Sequence, residues 1–106
     1  MELEIYWLQF AEDKLKDIFD YYCENESISV ARKIVSGIVD RTIDLNKNPK
    51  KGQVEELLKQ RQQEFRFLLY KNYKIIYWIN YEKSRIEIVY VFDARQNPLK
   101  LQETMN

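Results

Sequence analysis

The chain has 106 residues, of which 45% are hydrophobic and 32% charged, and equal numbers of basic and acidic residues give it a net charge of zero. This composition is typical of one folded domain, it excludes an intrinsically disordered chain, and no apolar run is long enough to span a membrane. The absence of histidine, with Cys23 as the one cysteine, excludes Ser-His-Asp, Cys-His and ordinary zinc sites. No signal peptide is recognisable, so we expect a cytoplasmic protein without metal or cofactor.

The charges are unevenly distributed along the chain. Residues 2–26 hold eight acidic and two basic side chains, a net charge of −6. Residues 46–74 hold eight basic and three acidic side chains, a net charge of +5. One end of the molecule is therefore expected to be electropositive, as suits a phosphate or an acidic partner, although an ordinary solvated surface explains the pattern equally well.

A short strand and two helices are predicted in the first half of the chain. Leu3 to Trp7 alternates in the manner of a strand. Apolar residues recur at helical spacing from Phe10 to Tyr22 and again from Val30 to Asn46. Ser27 or Ser29 is a suitable N-cap for the second helix. The short connection between the two helices predicts an antiparallel helical hairpin.

The segment between the helices and the last strands has the least regular pattern. Lys50 to Gly52 predicts a turn. Val54 to Leu58 fits either a short strand or a helical turn. Lys59 to Glu64 is almost wholly polar and is expected to form an exposed loop.

Three strands are predicted in succession over Phe65 to Tyr70, Tyr73 to Asn80 and Arg85 to Asp93. The last two are rich in β-branched and aromatic residues and are separated by four residues, as in an antiparallel hairpin. Alternation places one set of side chains on the first face of this hairpin: Tyr73, Ile75, Tyr77, Ile79, Ile86, Ile88, Tyr90 and Phe92. The opposite face then carries Lys74, Ile76, Trp78, Val89 and Val91.

These elements predict an α+β fold in one domain over residues 1–106. It consists of an N-terminal strand, an antiparallel helical hairpin and a three-stranded antiparallel sheet. The hairpin covers one face of the sheet. The other face is also partly apolar, and a partner, an N-terminal strand or the tail from Leu99 to Met105 is expected to cover it.

The same residues resemble the RelE/ParE superfamily of toxins from bacterial type II toxin–antitoxin systems. The resemblance covers nearly the whole chain and is most specific in two late motifs. The first is Tyr73-Lys74-Ile75-Ile76-Tyr77, and the second is Val91-Phe92-Asp93-Ala94-Arg95-Gln96-Asn97-Pro98. The chain departs from the family where Leu8 replaces a capping Ser or Thr, Lys74 replaces Arg, and Asp93 replaces a His found in many members.

The RelE branch of the superfamily implies a metal-independent endoribonuclease that acts on ribosome-bound messenger RNA. In that reading Glu55, which follows Gly52 in a Gly-x-x-Glu-x-Leu pattern, is the general base. Arg66, Lys74 and Arg95 hold the phosphate. Asp93 would have to act as the acid, which requires a strongly raised pKa.

The ParE branch implies a plasmid-stabilisation toxin that inhibits growth by binding DNA gyrase, and it needs no catalytic group. The long helical hairpin, the neutral net charge and the missing histidine favour this branch. A non-toxic module that only binds an antitoxin is the third alternative.

All three alternatives imply a cognate antitoxin as the partner and no membrane. Ile76, Trp78, Val89 and Val91, on the predicted second face, are the candidate antitoxin-binding residues. A homodimer and a hetero-oligomer with the antitoxin both remain open.

Overall fold

The computed structural model describes residues 3–105. Met1, Glu2 and Asn106, which belong to the predicted domain, lie outside the described residues. The helices and strands are β1 (Glu4–Trp7), α1 (Gln9–Asn25), α2 (Ile28–Asp40), β2 (Gln53–Val54), β3 (Arg66–Tyr70), β4 (Tyr73–Asn80), β5 (Arg85–Asp93) and α3 (Leu99–Thr104). The α+β class and the order of elements are confirmed.

The sheet has five strands in the order β1-β5-β4-β3-β2. The strands β2 to β5 pair antiparallel with their neighbours, whereas β1 pairs parallel with β5. The sheet is thus wider than the predicted three strands. It gains the N-terminal strand at one edge and the two-residue strand β2 at the other.

The two long helices differ in length from the predicted ones. The helix α1 extends to Asn25. The helix α2 begins after Ser27, whose hydroxyl accepts a hydrogen bond from Val30 N, and it ends at Asp40 rather than Asn46. The hydroxyl of Thr42 donates to the carbonyl of Val39 at 2.8 Å, and a separate 3₁₀ turn follows over Ile43–Asn46.

The helical hairpin covers one face of the sheet, which we call the inner face. Its core consists of Ala11, Ile18, Ile34, Ile38, Leu45, Leu68, Tyr73, Ile75, Tyr77, Ile86, Ile88 and Val91. Gly37 allows α2 to approach the sheet closely, because a Cβ atom at this position would clash with the ring of Tyr70.

The other face, which we call the outer face, has its own smaller core. Ile76, Val89 and Phe92 pack there with Leu58, Phe65 and Leu101. Leu58 belongs to a 3₁₀ turn over Glu56–Leu58, and Leu101 belongs to α3. The tail of this chain therefore covers part of the outer face.

The predicted faces of β5 are wrong from Tyr90 onward, because a β-bulge shifts the register of the hairpin. Ile76 pairs with Tyr90, whereas the next residue, Tyr77, pairs with Ile88. Val89 is the extra residue, so the alternation of β5 inverts there. Val91 consequently lies in the inner core and Phe92 in the outer core, the reverse of the prediction.

The segment before β2 is held by a buried hydroxyl group. Tyr77 is completely buried. Its hydroxyl donates to the carbonyl of Pro49 at 2.7 Å and accepts from Gly52 N at 2.9 Å. A Cβ atom on Gly52 would lie 2.6 Å from the carbonyl oxygen of Phe67 and 2.7 Å from the Tyr77 hydroxyl. Only glycine fits this approach, and the segment that leads to Glu55 is fixed by it.

We expect Tyr77→Phe to destabilise the fold by about 1–3 kcal/mol, because it leaves a buried carbonyl and a buried N–H without a partner. Chemical denaturation measures the change. The matched control is Tyr81→Phe, since Tyr81 is 66% exposed and its replacement should cost almost nothing. Equal free energies of unfolding for the two variants would contradict the role of the Tyr77 hydroxyl.

Candidate functional site

Glu55 lies between β2 and the turn over Glu56–Leu58 and is 3% exposed. One carboxylate oxygen accepts a hydrogen bond from Leu57 N at 3.2 Å, so that Glu55 caps the turn. The other accepts from Lys74 Nζ at 2.7 Å. The carboxylate is therefore occupied on both oxygens, one by the backbone and one by an ammonium group.

Lys74 projects from β4 onto the outer face. Its ammonium group lies 4.4 Å from the centre of the Phe67 ring, in addition to its contact with Glu55. The ion pair and the cation–π contact hold this side chain against the sheet. Of the predicted cations, Lys74 is the one that the fold brings to Glu55.

Arg66 lies on the inner face, as its pairing with Tyr77 requires. Its guanidinium donates to the carbonyl of Gly52 at 2.8 Å and to the carboxylate of Glu64 at 2.8 Å. These contacts tie β3 to the segment before β2, so Arg66 has a structural explanation that requires no phosphate.

Arg95 follows β5 and forms a two-point ion pair with Asp93. Its Nε and Nη2 atoms donate to the two carboxylate oxygens at 3.1 and 2.9 Å. Asn72 Nδ2 donates to the same carboxylate at 3.0 Å. These contacts, with that of Arg95 the strongest, outweigh the partial burial of Asp93 and lower its pKa to about 2. Asp93 is thus ionised at neutral pH, the opposite of what a proton donor in the RelE-like reading requires.

The four predicted catalytic residues do not form one cluster. Glu55 and Lys74 share the outer face, whereas Arg66 lies on the inner face. Arg95 is anchored beside Asp93, which pairs with Tyr73 at the start of β4. Tyr73 and Tyr77, the β4 partners of Asp93 and Arg66, are about 13 Å apart at roughly 3.3 Å per residue. One phosphate group cannot contact all three cations in this arrangement.

A cleft of about 350 Å³ lies between α1 and the end of β5. Its lining residues are Lys14, Asp17, Ile18, Tyr21, Tyr73, Asp93, Arg95 and Gln96. The hydroxyl of Tyr73 donates to that of Tyr22 at 3.3 Å, and burial is the main cause that raises the pKa of Tyr73. Sequence reasoning missed this cleft because no local pattern brings α1 beside the Arg95 turn.

The four predicted antitoxin-binding residues do not share an open surface. Val91 is completely buried in the inner core, and Ile76 and Val89 are 0% and 7% exposed beneath α3 and its neighbours. Trp78 is half-buried. The predicted face is wrong for Val91 because of the bulge, whereas Ile76 and Val89 lie on the predicted face but are covered by the tail and its neighbours. The antitoxin contact itself stays a prediction.

The part of the outer face beyond the tail is an aromatic surface crossed by a polar network. Trp78 Nε1, Asn80 Nδ2 and Arg85 Nε donate to the buried carboxylate of Glu87 at 3.1, 3.1 and 2.9 Å. Burial opposes the charge of Glu87, but these contacts, led by Arg85, outweigh it and lower the pKa of Glu87. Nearby, the guanidinium of Arg85 lies 3.9 Å from the ring centre of Tyr6.

Two stacked aromatic rings lie close to the outer core. Phe10 stacks on Tyr90 with ring centres 4.8 Å apart. Phe10 is 49% and Tyr6 39% exposed. We call Tyr6, Phe10, Trp78 and Tyr90 the aromatic surface. It is an accessible part of the outer face, and of its four residues Trp78 is the one that was predicted on the second face.

Residues 3–105 contain neither a candidate metal site nor a candidate membrane span. In this part of the chain no group of three or more Cys, Asp or Glu side chains is arranged to hold a metal ion. None of its helices is long and apolar enough to cross a membrane.

Two solved structures share the fold of this chain. A chain of the structure described as the chromosomal ParDE TA system from P. aeruginosa aligns with a TM-score of 0.72 and 18% identity over 87% of this chain and 96% of that one. A chain of the RelBE2 toxin–antitoxin complex from Mycobacterium tuberculosis aligns with a TM-score of 0.61 and 16% identity over 88% and 92% of the two chains. No curated protein sequence matches this chain.

The family follows from the sequence match. The model of the family described as "ParE toxin of type II toxin-antitoxin system, parDE" matches residues 5–98. This chain belongs to that family, and the predicted RelE/ParE superfamily membership is confirmed.

The pKa of Asp93 provides a direct test of the Arg95 contact. Nuclear magnetic resonance titration of the carboxyl carbon should give a pKa of about 2 in the unaltered chain. In Arg95→Gln the pKa should rise toward 3.8, the ordinary value. Because the folded-state pKa is lowered, the pair stabilises the fold above pH 4 and loses this effect as the pH falls toward 2. An unchanged pKa in Arg95→Gln would show that the ion pair does not form.

Proposed function

We propose that this ParE-family protein acts by binding and inhibiting DNA gyrase in the cytoplasm and is neutralised by a cognate antitoxin. Such an activity requires a recognition surface and no proton transfer. The family match supports the toxin class, and the arrangement of the charged residues supports a mechanism by binding.

The observation that carries the proposal is the dispersal of the RelE-like residues. Glu55 is buried and accepts a hydrogen bond on each oxygen, so a substrate hydroxyl would have to compete with these contacts. Arg66 holds backbone carbonyl groups on the inner face. Asp93, with its lowered pKa, cannot serve as a general acid at neutral pH. Each of the residues predicted for a RelE-like site is bonded to another group of this protein.

One contact favours the alternative, a ribosome-dependent endoribonuclease. Glu55 and Lys74 are 2.7 Å apart, and a carboxylate beside an ammonium group is a combination that phosphoryl-transfer sites use. A substrate would have to displace this buried pair before either group could act. We therefore rank the nuclease second, and the non-toxic antitoxin-binding module third.

The antitoxin partner is supported by the two similar structures, one of a ParDE system and one described as a RelBE2 toxin–antitoxin complex. On this chain the aromatic surface is the best candidate contact. Exposed aromatic rings beside a satisfied polar network are typical of binding surfaces. Trp78 is retained from the predicted set, and the buried Ile76 and Val89 belong to the outer core against which it packs.

The gyrase proposal is tested with purified toxin in two parallel assays. We expect inhibition of gyrase-catalysed supercoiling at a toxin concentration that leaves ribosome-bound messenger RNA intact. Cleavage of the RNA with normal supercoiling would contradict the proposal and favour the nuclease. Inactivity in both assays, from toxin that still binds its antitoxin, would identify the non-toxic module.

The antitoxin contact is tested separately. Trp78→Ala should weaken antitoxin binding about thirtyfold, the loss expected for a buried aromatic anchor worth about 2 kcal/mol. Tyr81→Ala is the matched control, because Tyr81 is a 66% exposed aromatic residue in the β4–β5 loop. Isothermal titration measures both affinities, and circular dichroism checks that each variant is folded. Equal affinities would exclude Trp78 from the contact.

A further inference from the structure

The strand β1 forms an open edge of the sheet. It is the last strand in the order, and within residues 3–105 no strand lies on the side away from β5. Natural proteins usually protect such an edge with proline, lysine or a bulge. The residues Glu4–Trp7 include none of these, and Glu4 is the one charged side chain among them. This edge is therefore competent to accept another strand.

The hydrogen bonds from β1 to β5 show which backbone N–H and C=O groups of β1 point away from the sheet. Glu4 N donates to the carbonyl of Ser84 at 3.2 Å, and Leu8 N donates to that of Ile88 at 3.0 Å. Successive residues of a strand direct their N–H and C=O groups to alternate sides. The N–H and C=O groups of Ile5 and Trp7 consequently point away from β5, where an added strand would lie.

Apolar side chains border this edge. A groove of about 360 Å³ runs along it, lined by Leu3, Glu4, Ile5 and Asn46. Leu3, Ile5 and Trp7 pack on the inner core but are only partly buried. Ile43, in the 3₁₀ turn that contacts β1, is 61% exposed. Covering the edge would remove this apolar surface from water.

We propose that the occupant of this edge is β1 of a second copy of the chain, paired antiparallel about a two-fold axis at Ile5. In that register the outward groups of Ile5 face those of Ile5 in the other copy. Leu3 then lies opposite Trp7, and Glu4 lies opposite Tyr6. The two five-stranded sheets become one continuous sheet.

The sequence of β1 is complementary to itself in this register. On the inner face, each Leu3 meets a Trp7, so the apolar row continues across the axis. On the outer face, each Glu4 approaches the Tyr6 ring on which Arg85 lies at 3.9 Å. The carboxylate of one copy thus meets the guanidinium of the other. Such two-fold complementarity is what an isologous interface requires, and it specifies a second copy as the occupant. This inference does not depend on gyrase being the target.

Disulfide trapping tests the register in the full-length toxin. Opposite residues of a hydrogen-bonded antiparallel pair have Cα atoms about 5.5 Å apart, within the range of a disulfide. Ile5→Cys in a Cys23→Ser background should therefore form an oxidised dimer of twice the monomer mass. Tyr6→Cys in the same background is the matched control. Its Cα atoms would be about 8 Å apart, too far for a disulfide.

Charge reversal tests the outer-face contact. Glu4→Lys should weaken the self-association of the unlinked toxin about fivefold, because an exposed attraction becomes a repulsion. Glu82→Lys makes the same charge change in the exposed β4–β5 loop and should have no effect. Sedimentation equilibrium measures both, with circular dichroism as the check on folding.

Three results would overturn the proposal. The first is a toxin that stays monomeric at all accessible concentrations, and the second is crosslinking of Tyr6→Cys in place of Ile5→Cys. The third is equal weakening by Glu4→Lys and Glu82→Lys. A monomer whose β1 amides become protected from hydrogen exchange when antitoxin is added would assign the edge to the antitoxin instead.

Discussion

The buried hydroxyl group of Tyr77 determines where the segment between Pro49 and Glu55 lies. It bonds both ends of the turn, at Pro49 and at Gly52. Arg66 bonds the carbonyl of the same glycine from β3. With the turn fixed, β2 pairs with β3, and Glu55 reaches Lys74 across the outer face. The polar contacts of the candidate site thus depend on one phenol that lies in the core under the helical hairpin.

A single bulged residue determines which face of the sheet each of the last residues of β5 occupies. Because Val89 interrupts the alternation of β5, Val91 joins the inner core and Phe92 the outer core. Leu101 of the tail then packs beside Phe92 and Ile76. The outer face therefore has two parts. The tail of the chain covers one part, and the other part carries the aromatic surface.

The elements with a long, regular pattern could be predicted from the sequence. Periodicity predicted both long helices, with the largest error at the C-terminal end of α2, and runs rich in β-branched and aromatic residues predicted β4 and β5. The bulge at Val89 could not be recognised from an alternation of apolar and polar residues, because both faces of β5 are apolar. The pairing of β1 depends on contacts about 80 residues apart in the chain, as its register with Arg85 shows, and no local pattern encodes it.

The candidate site was harder to predict than the fold. The residue types at Glu55, Arg66, Lys74 and Arg95 are those of a phosphate site. In the fold, however, each of these charged groups contacts another group of the protein. Arg95 pairs with Asp93 and Lys74 pairs with Glu55. Arg66 donates to the carboxylate of Glu64 and to the carbonyl of Gly52. A sequence reports which charges are present, whereas their pairing depends on strand register and on which face each side chain occupies.

The central claim is that this ParE-family toxin acts by binding, with Glu55 as a structural group. The most direct measurement is the inhibition of gyrase supercoiling by Glu55→Gln. This change removes the charge of the residue and keeps an oxygen that can accept from Leu57 N. We expect inhibition within about twofold of the unaltered toxin, because Glu55 then has no role in the contact with gyrase. Loss of toxicity in a variant that remains folded and still binds antitoxin would contradict it.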